Sequence, residues 1–319
     1  MKLLRHVIAL IVFVLCALAA GNAQAQVCTA ISTGMSFGSY SPVTGTPSAS
    51  ATIAIKCSGL LAKLRVCVAL GPGVGQTSYA PRYMTNGVST LQYNLYSDSA
   101  GTSVVGSIFG PYAPAFYDLP VNAGAVNTTV TVYGKILPSQ SSVQAGSFGA
   151  TFGSTAIVGY QTLPTTGTFL DCLALPVLSG SFSFPVTANV INDCTISASN
   201  IDFGSKGLLS STLTAAGSLS VACTNAGAYA ISLSAGNGVN ATSATRYMTL
   251  AGGSDKIGYG LYPSASYSVP WGDGTSGSTT VSGTGNGATQ TIPVYSRVLP
   301  QPTPPPGSYS DTVIATIIF

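Results

Sequence analysis

The sequence predicts an all-β protein built from two tandem β-sandwich domains behind an export signal. Three observations carry this expectation: an internal repeat anchored on cysteines, short β-branched and aromatic runs set between turn formers, and a scarcity of charge. Only 6% of the 319 residues are charged, while 37 Gly and 19 Pro punctuate the chain. An average soluble domain has about 25% charged residues. The eight acidic residues are all aspartates, and His6 is the one histidine.

The first 25 residues read as a signal peptide. Lys2 and Arg5 give a basic start, residues 7–20 are apolar, and Ala23-Gln24-Ala25 fits a small-residue cleavage site. Export leaves nine cations against eight aspartates, which excludes a strongly basic nucleic-acid surface. It also leaves neither His nor Glu, so the usual general bases, zinc ligands and triad chemistry are missing. No catalytic residue, metal site or cofactor is expected.

The repeat runs through the rest of the chain. Cys28 to Cys57 and Cys194 to Cys223 are both separated by 29 positions, and Phe37-Gly38 and Phe203-Gly204 follow each first cysteine at the same distance. Arg82-Tyr83-Met84-Thr85 matches Arg246-Tyr247-Met248-Thr249, and Tyr93-Asn94-Leu95-Tyr96 matches Tyr259-Gly260-Leu261-Tyr262. Val132-Tyr133-Gly134-Lys135-Ile136-Leu137-Pro138 matches Val294-Tyr295-Ser296-Arg297-Val298-Leu299-Pro300, and Gly146-Ser147-Phe148 matches Gly307-Ser308-Tyr309. The order is the same throughout, so two homologous domains are expected. Runs such as residues 51–56, 219–222, 229–233 and 312–319 are rich in Val, Ile, Thr and Tyr and are separated by turn residues, as in a sandwich.

An exported chain meets an oxidising compartment, where cysteines form disulfides. Six remain after processing, and fifteen pairings are possible in principle. The equal spacings favour Cys28–Cys57 and Cys194–Cys223, which leaves Cys67 with Cys172. All six are read as structural cross-links in Gly-rich strands, with no reactive or metal-binding role.

Cys194, Phe203-Gly204, Trp271-Gly272-Asp273-Gly274-Thr275, Val294-Tyr295-Ser296-Arg297-Val298 and residues 307–313 together resemble the spore coat protein U domain family. That family includes subunits of archaic chaperone–usher pili. The resemblance covers residues 182–319 and extends more loosely to the first repeat, which lacks the Trp-Gly-Asp-Gly-Thr segment. It implies immunoglobulin-like, pilin-type sandwiches. Two tandem domains behind a signal peptide resemble the tip adhesin of such a pilus. The implied partners are a periplasmic chaperone, an outer-membrane usher and an adjacent pilin, and the implied location is the periplasm and then the cell surface at the pilus tip.

The expected organisation is an N-terminal adhesin-like domain at 26–181, a linker at 182–190 and a C-terminal pilin domain at 191–319. Phe182, Phe184, Val186, Ala188 and Val190 alternate with smaller or polar residues. In single-domain relatives a similar segment acts as donor strand for a neighbour; in this chain it is expected to complete the first domain in cis. Only Gln26 and Val27 precede Cys28, too few to donate a strand. The second domain has no such segment, and is expected to lack its final strand and to present Val313, Ala315, Ile317 and Phe319 beside an open edge. An open edge exposes unpaired backbone groups and invites an added strand. A self-sufficient second domain is the alternative.

The surface-binding candidates lie where the first domain departs from the second: Ile108, Phe109, Tyr112, Phe116, Tyr117, Phe152 and Tyr160, in loops stiffened by Pro111, Pro114 and Pro120. The matching stretch of the second domain, residues 272–287, is nearly all Gly, Ser and Thr. Exposed apolar patches mark interaction sites, and a hydrophobic abiotic surface is the expected target, with burial in the first core as the alternative. Trp271 reads as structural, and Asp98, Asp118 and Asp273 as turn residues. Competing readings are a coat or shaft protein without adhesive role, an outer-membrane barrel ending on Phe319, and an enzyme or lectin.

Overall fold

Alternation of small apolar and polar side chains along Ser48–Ser58 turns Ala51, Ile53, Ile55 and Cys57 inward and the intervening residues outward, the period-two pattern of a half-buried strand. Repeated along the chain, this pattern yields 21 strands in four sheets in the computed structural model, which describes residues 26–174 and 178–319. The export signal read at residues 1–25 lies outside the described residues.

The first half contains β1 (Val27–Ser32), β2 (Met35–Tyr40), β3 (Ser48–Ser58), β4 (Lys63–Leu70), β5 (Arg82–Thr85) and β6 (Thr90–Tyr96). It continues with β7 (Ala115–Pro120), β8 (Val126–Ile136), β9 (Gly146–Ala150), β10 (Ala156–Leu163), β11 (Leu178–Ser181) and β12 (Val186–Val190). These form an eight-stranded sheet in the order β1-β3-β8-β6-β5-β9-β12-β2 and a four-stranded sheet in the order β11-β10-β4-β7. Their inward faces share one apolar core, in which Ile53, Leu64, Val66, Leu91, Tyr93 and Val132 are fully covered.

The second half repeats the plan with fewer strands. It comprises β13 (Cys194–Ala198), β14 (Leu213–Cys223), β15 (Ala228–Leu233), β16 (Arg246–Leu250), β17 (Lys256–Tyr262), β18 (Val281–Thr284), β19 (Thr289–Val298), β20 (Tyr309–Ser310) and β21 (Ala315–Ile318). The sheets are β13-β14-β19-β17-β16-β20 and β18-β15-β21, around a smaller core centred on Val221, Ile231 and Trp271. In both halves the first strand and the one it pairs with bring two cysteines opposite each other, Cys28 to Cys57 and Cys194 to Cys223, and disulfides join them. A third bridge, Cys67–Cys172, occurs only in the first half.

The halves meet at one end of the first. Residues 191–193 connect them, Ile191 N–H donates to Tyr40 C=O (3.0 Å) and Asn225 Nδ2 donates to Ser142 C=O (2.7 Å). Strands β2 and β12 run parallel and both finish at this end, at Tyr40 and Val190.

Candidate functional site

The segment carrying Phe182, Phe184, Val186, Ala188 and Val190 lies inside the first half's sheets. Strand β12 runs antiparallel to β9, with Val186 opposite Ala150, Ala188 opposite Phe148 and Val190 opposite Gly146, and parallel to β2 on its other side. Just before it, β11 pairs with β10. Residues 178–190 therefore run beside residues 146–150 and 156–159 and add a strand to both sheets. The five alternate side chains are all buried, at 7% exposure or less. Phe184 meets Phe152 edge to face at 5.6 Å between centroids. The four larger side chains covered this way, Phe182, Phe184, Val186 and Val190, contribute roughly 6–12 kcal/mol of gross apolar burial.

The second half has the same slot, and no described residue fills it. The partner of the missing strand on one side is β20, which ends its sheet, and on the other is the stretch around Phe203-Gly204. That stretch matches β2 of the first half but forms no strand, because the neighbour whose hydrogen bonds would hold it is missing. A groove of about 640 Å³ remains, lined by Ile201, Phe203, Leu219, Met248, Tyr309 and Val313 among others. Phe203 and Tyr309 are half-buried, whereas their first-half counterparts Phe37 and Phe148 are buried.

Four residues were expected to face this edge. Val313 and Ala315 border the groove, and Ile317 packs against the second core beside them. Phe319 is exposed, as are Ile314 and Ile318 on the opposite face. Strand β21 pairs with β15 on one side only, whereas its counterpart β10 holds both β4 and β11. One polar pair stands at the groove wall: Tyr259 Oη donates to Asp311 Oδ2 (2.7 Å), and Asn237 N–H donates to Asp311 Oδ1 (2.7 Å). Burial, then the bond to Asp311, pushes the Tyr259 phenol far up from its ordinary value.

The other candidate region lies at the end of the first half remote from the linker. Loops 71–81, 97–114 and 151–155 meet there around Arg82, which is wholly buried. Its guanidinium donates to the carbonyls of Leu70 (2.7 Å), Gly71 (2.9 Å), Tyr79 (2.9 Å) and Val105 (2.6 Å). Burial lowers its pKa from 12.5 to about 10. Arg246 does the same in the second half, donating to the carbonyls of Leu233, Ser234, Ser243 and Trp271. Trp271 is itself fully buried, with Nε1 donating to Ile231 C=O (3.0 Å).

The aromatic candidates of the first half divide into groups. Phe109 is 79% exposed and Tyr112 38%, and both stand on the apical loops. Ile108 is half-buried beside them. Phe116 is exposed but belongs to the outer face of β7, where the Arg65 guanidinium lies 4.5 Å from its ring centroid. Arg65 also stacks on Phe169 and bonds both oxygens of Asp118 (2.6 and 2.8 Å). Asp118, read as a turn residue, is thus a strand residue in an ion pair, and this contact holds its carboxyl below the usual range. Tyr117 packs against the core and donates from Oη to Thr131 C=O (3.0 Å), and burial pushes its phenol up to about 12.

Two candidates need correction. Phe152 is completely buried and Tyr160 is 4% exposed, so both are core residues. Phe152 lies under the inserted segment against Phe184. Tyr160 shares the inward face of β10 with Ala156 and Val158, and its Oη donates to Gln26 C=O (2.7 Å). The sequence reading also missed Val74, 62% exposed between Gly73 and Gly75, both at positive φ. An isolated apolar residue in a Gly-rich loop was the available signal. Among the described residues no group of three or more His, Cys, Asp or Glu could hold a metal, and no helix is long and apolar enough to cross a membrane. The site is suited to strand addition and apolar contact.

Comparison with known proteins agrees with this repeat. The family model of the Spore Coat Protein U domain matches twice, over residues 14–155 and 181–316. No curated protein sequence matches the chain. Among solved structures, the chaperone–tip adhesion subunit pre-assembly complex (CsuC-CsuE) from archaic chaperone-usher Csu pili of Acinetobacter baumannii is similar at a TM-score of 0.53 and 17% identity, covering 92% of this chain and 100% of that one. The CupB6 tip adhesin from Pseudomonas aeruginosa aligns at a TM-score of 0.39 and 11% identity, covering 91% of this chain and 93% of that one.

Proposed function

The chain belongs to the Spore Coat Protein U domain family, and from that premise we propose that it is the tip adhesin of a chaperone–usher pilus. The observation that carries this reading is one slot in two states: occupied by residues 178–190 in the first half, open in the second. The first half, residues 26–181, is a complete domain once the segment 182–190 supplies its last strand in cis. The second, 191–319, accepts a strand from an adjacent pilin, after a periplasmic chaperone has held the groove during export to the usher. Main-chain hydrogen bonds along β20 and β21 provide the affinity, and alternate side chains entering the groove provide the fit.

The apical loops support the adhesive role. Val74, Phe109 and Tyr112 are apolar, exposed and held on a stiff frame at the end remote from the second half. Little entropy is lost when such loops are fixed on a hydrophobic surface, and no sugar or ion chemistry is required of them. Cell-surface placement at the pilus tip follows from the same reading.

Two measurements test it. A synthetic peptide with the sequence of residues 178–190 should raise the melting temperature of the second half by several degrees; no shift would refute strand acceptance. Replacing Phe109 and Tyr112 together by Ser should weaken attachment to plastic at least tenfold, with pili assembling normally. Unchanged attachment would remove the loops from the adhesive surface.

A further inference from the structure

At a pilus tip, tension enters the first half through its apical loops and leaves through β12 into residues 191–193. Within the first half the route is strong. Strand β12 lies between β9 and β2, so pulling on Val190 loads both ladders along their length. Strand β1 and its Cys28–Cys57 bridge stand at the far edge of that sheet, off the route.

The second half receives the pull differently. Its first strand, β13, is an edge strand of five residue pairs, held by β14 alone. The linker is tied down as well: Asp193 N–H donates to Thr224 Oγ1 (3.1 Å), Thr224 N–H donates to Asp193 C=O (2.9 Å), and Asn225 reaches Ser142. These few bonds would take the whole load before any ladder deeper in the sheet. Cys194, however, is the first residue of β13, and its partner Cys223 is the last residue of β14. Strand β14 pairs with β19 over ten residues.

We propose that the Cys194–Cys223 disulfide is a tension lock, passing force from the linker past edge strand β13 into the long β14–β19 ladder. The bridge of the first half has the same register but no such duty. A covalent bond at the point of entry prevents β13 from peeling before the central ladder yields. This rests on the tip-adhesin reading only for the origin of the tension. The lock is tested by applying force directly, so a failed attachment assay would leave it standing.

The experiment uses the chain from residue 26 to 319, extended by a Gly/Ser turn and a second copy of residues 178–190 to fill the groove. A rise in melting temperature over the unextended chain shows that the added strand is seated. One handle is attached through an azido side chain replacing Phe109, the other at the end of the added strand, and unfolding is followed at constant force. Removal of the bridge by Cys194→Ala with Cys223→Ala should speed mechanical unfolding of the second half at least tenfold. It should also release about 10 nm more chain, for 29 further positions at roughly 3.4 Å each. The pair Cys28→Ala with Cys57→Ala should change the first half's rate less than twofold. If the variant of the second half does not fold, the oxidised chain is folded first and dithiothreitol is added under force; acceleration confined to the second half is expected. An acceleration below tenfold in the second half, or an equal one in the first, would overturn the proposal.

Discussion

Replacing Arg82 by Met keeps the length of the side chain while removing every donor that ties the apical loops together. Four carbonyls, from Leu70, Gly71, Tyr79 and Val105, lose their partner. Hydrogen bonds to a charged group contribute about 1.5–3 kcal/mol each, so four at the lower figure contribute about 6 kcal/mol. Against this stands the cost of burying the cation. A fall in pKa from 12.5 to about 10 corresponds to about 3 kcal/mol at roughly 1.4 kcal/mol per unit. The net loss is on the order of 3 kcal/mol. In a unit of this size each kcal/mol lowers the melting temperature by about 2–4 °C, so the first half should melt roughly 6–12 °C lower. Scanning calorimetry of the whole chain provides the measurement, with the second half's transition as internal reference. Arg82→Lys should recover less than half of the loss, since one ammonium cannot reach four carbonyls. A first-half transition that moves by less than about 2 °C would show that the carbonyls are satisfied without the guanidinium, and the account of the loops would fail.

Val186→Asp places a carboxylate at a fully buried position of the inserted strand. It should abolish the first half's cooperative transition and leave that of the second in place; two unchanged transitions would contradict the role given to β12. The buried tyrosines set an alkaline limit. The folded pKa of Tyr117 is raised from 10.0 to about 12, so the stability it contributes is complete below about pH 10 and is lost as pH rises from there through about 12. Tyr259 is shifted in the same direction. Melting temperature should be level from about pH 7 to 9 and fall above about 10, with phenolate absorbance rising in the same interval. Ionisation near pH 10 without loss of stability would contradict the burial of these side chains.

Much of the architecture follows from local pattern. The two 29-residue spacings bring each pair of cysteines to one register of an antiparallel pair. The alternation from Phe182 to Val190 turns five side chains to one buried face, the last part of it as strand β12. The aromatic candidates were less legible. Phe109 and Phe152 look alike in the sequence, since both stand near Gly in stretches where the first repeat departs from the second. What separates them is a strand more than thirty residues downstream of Phe152, which covers one and leaves the other bare. Arg82 and Arg246 stood in a matched tetrapeptide and nothing marked them as buried, because three of the four carbonyls each binds come from other segments, 11 to 25 positions away.

Residue type and spacing alone settled the all-β character and the doubling of the domain, because these depend on period and turn formers. Only the tertiary structure decided which alternating faces are covered and which arginines are interior. Those properties depend on pairing between distant strands, and a strand pattern states its own face without stating what lies against it.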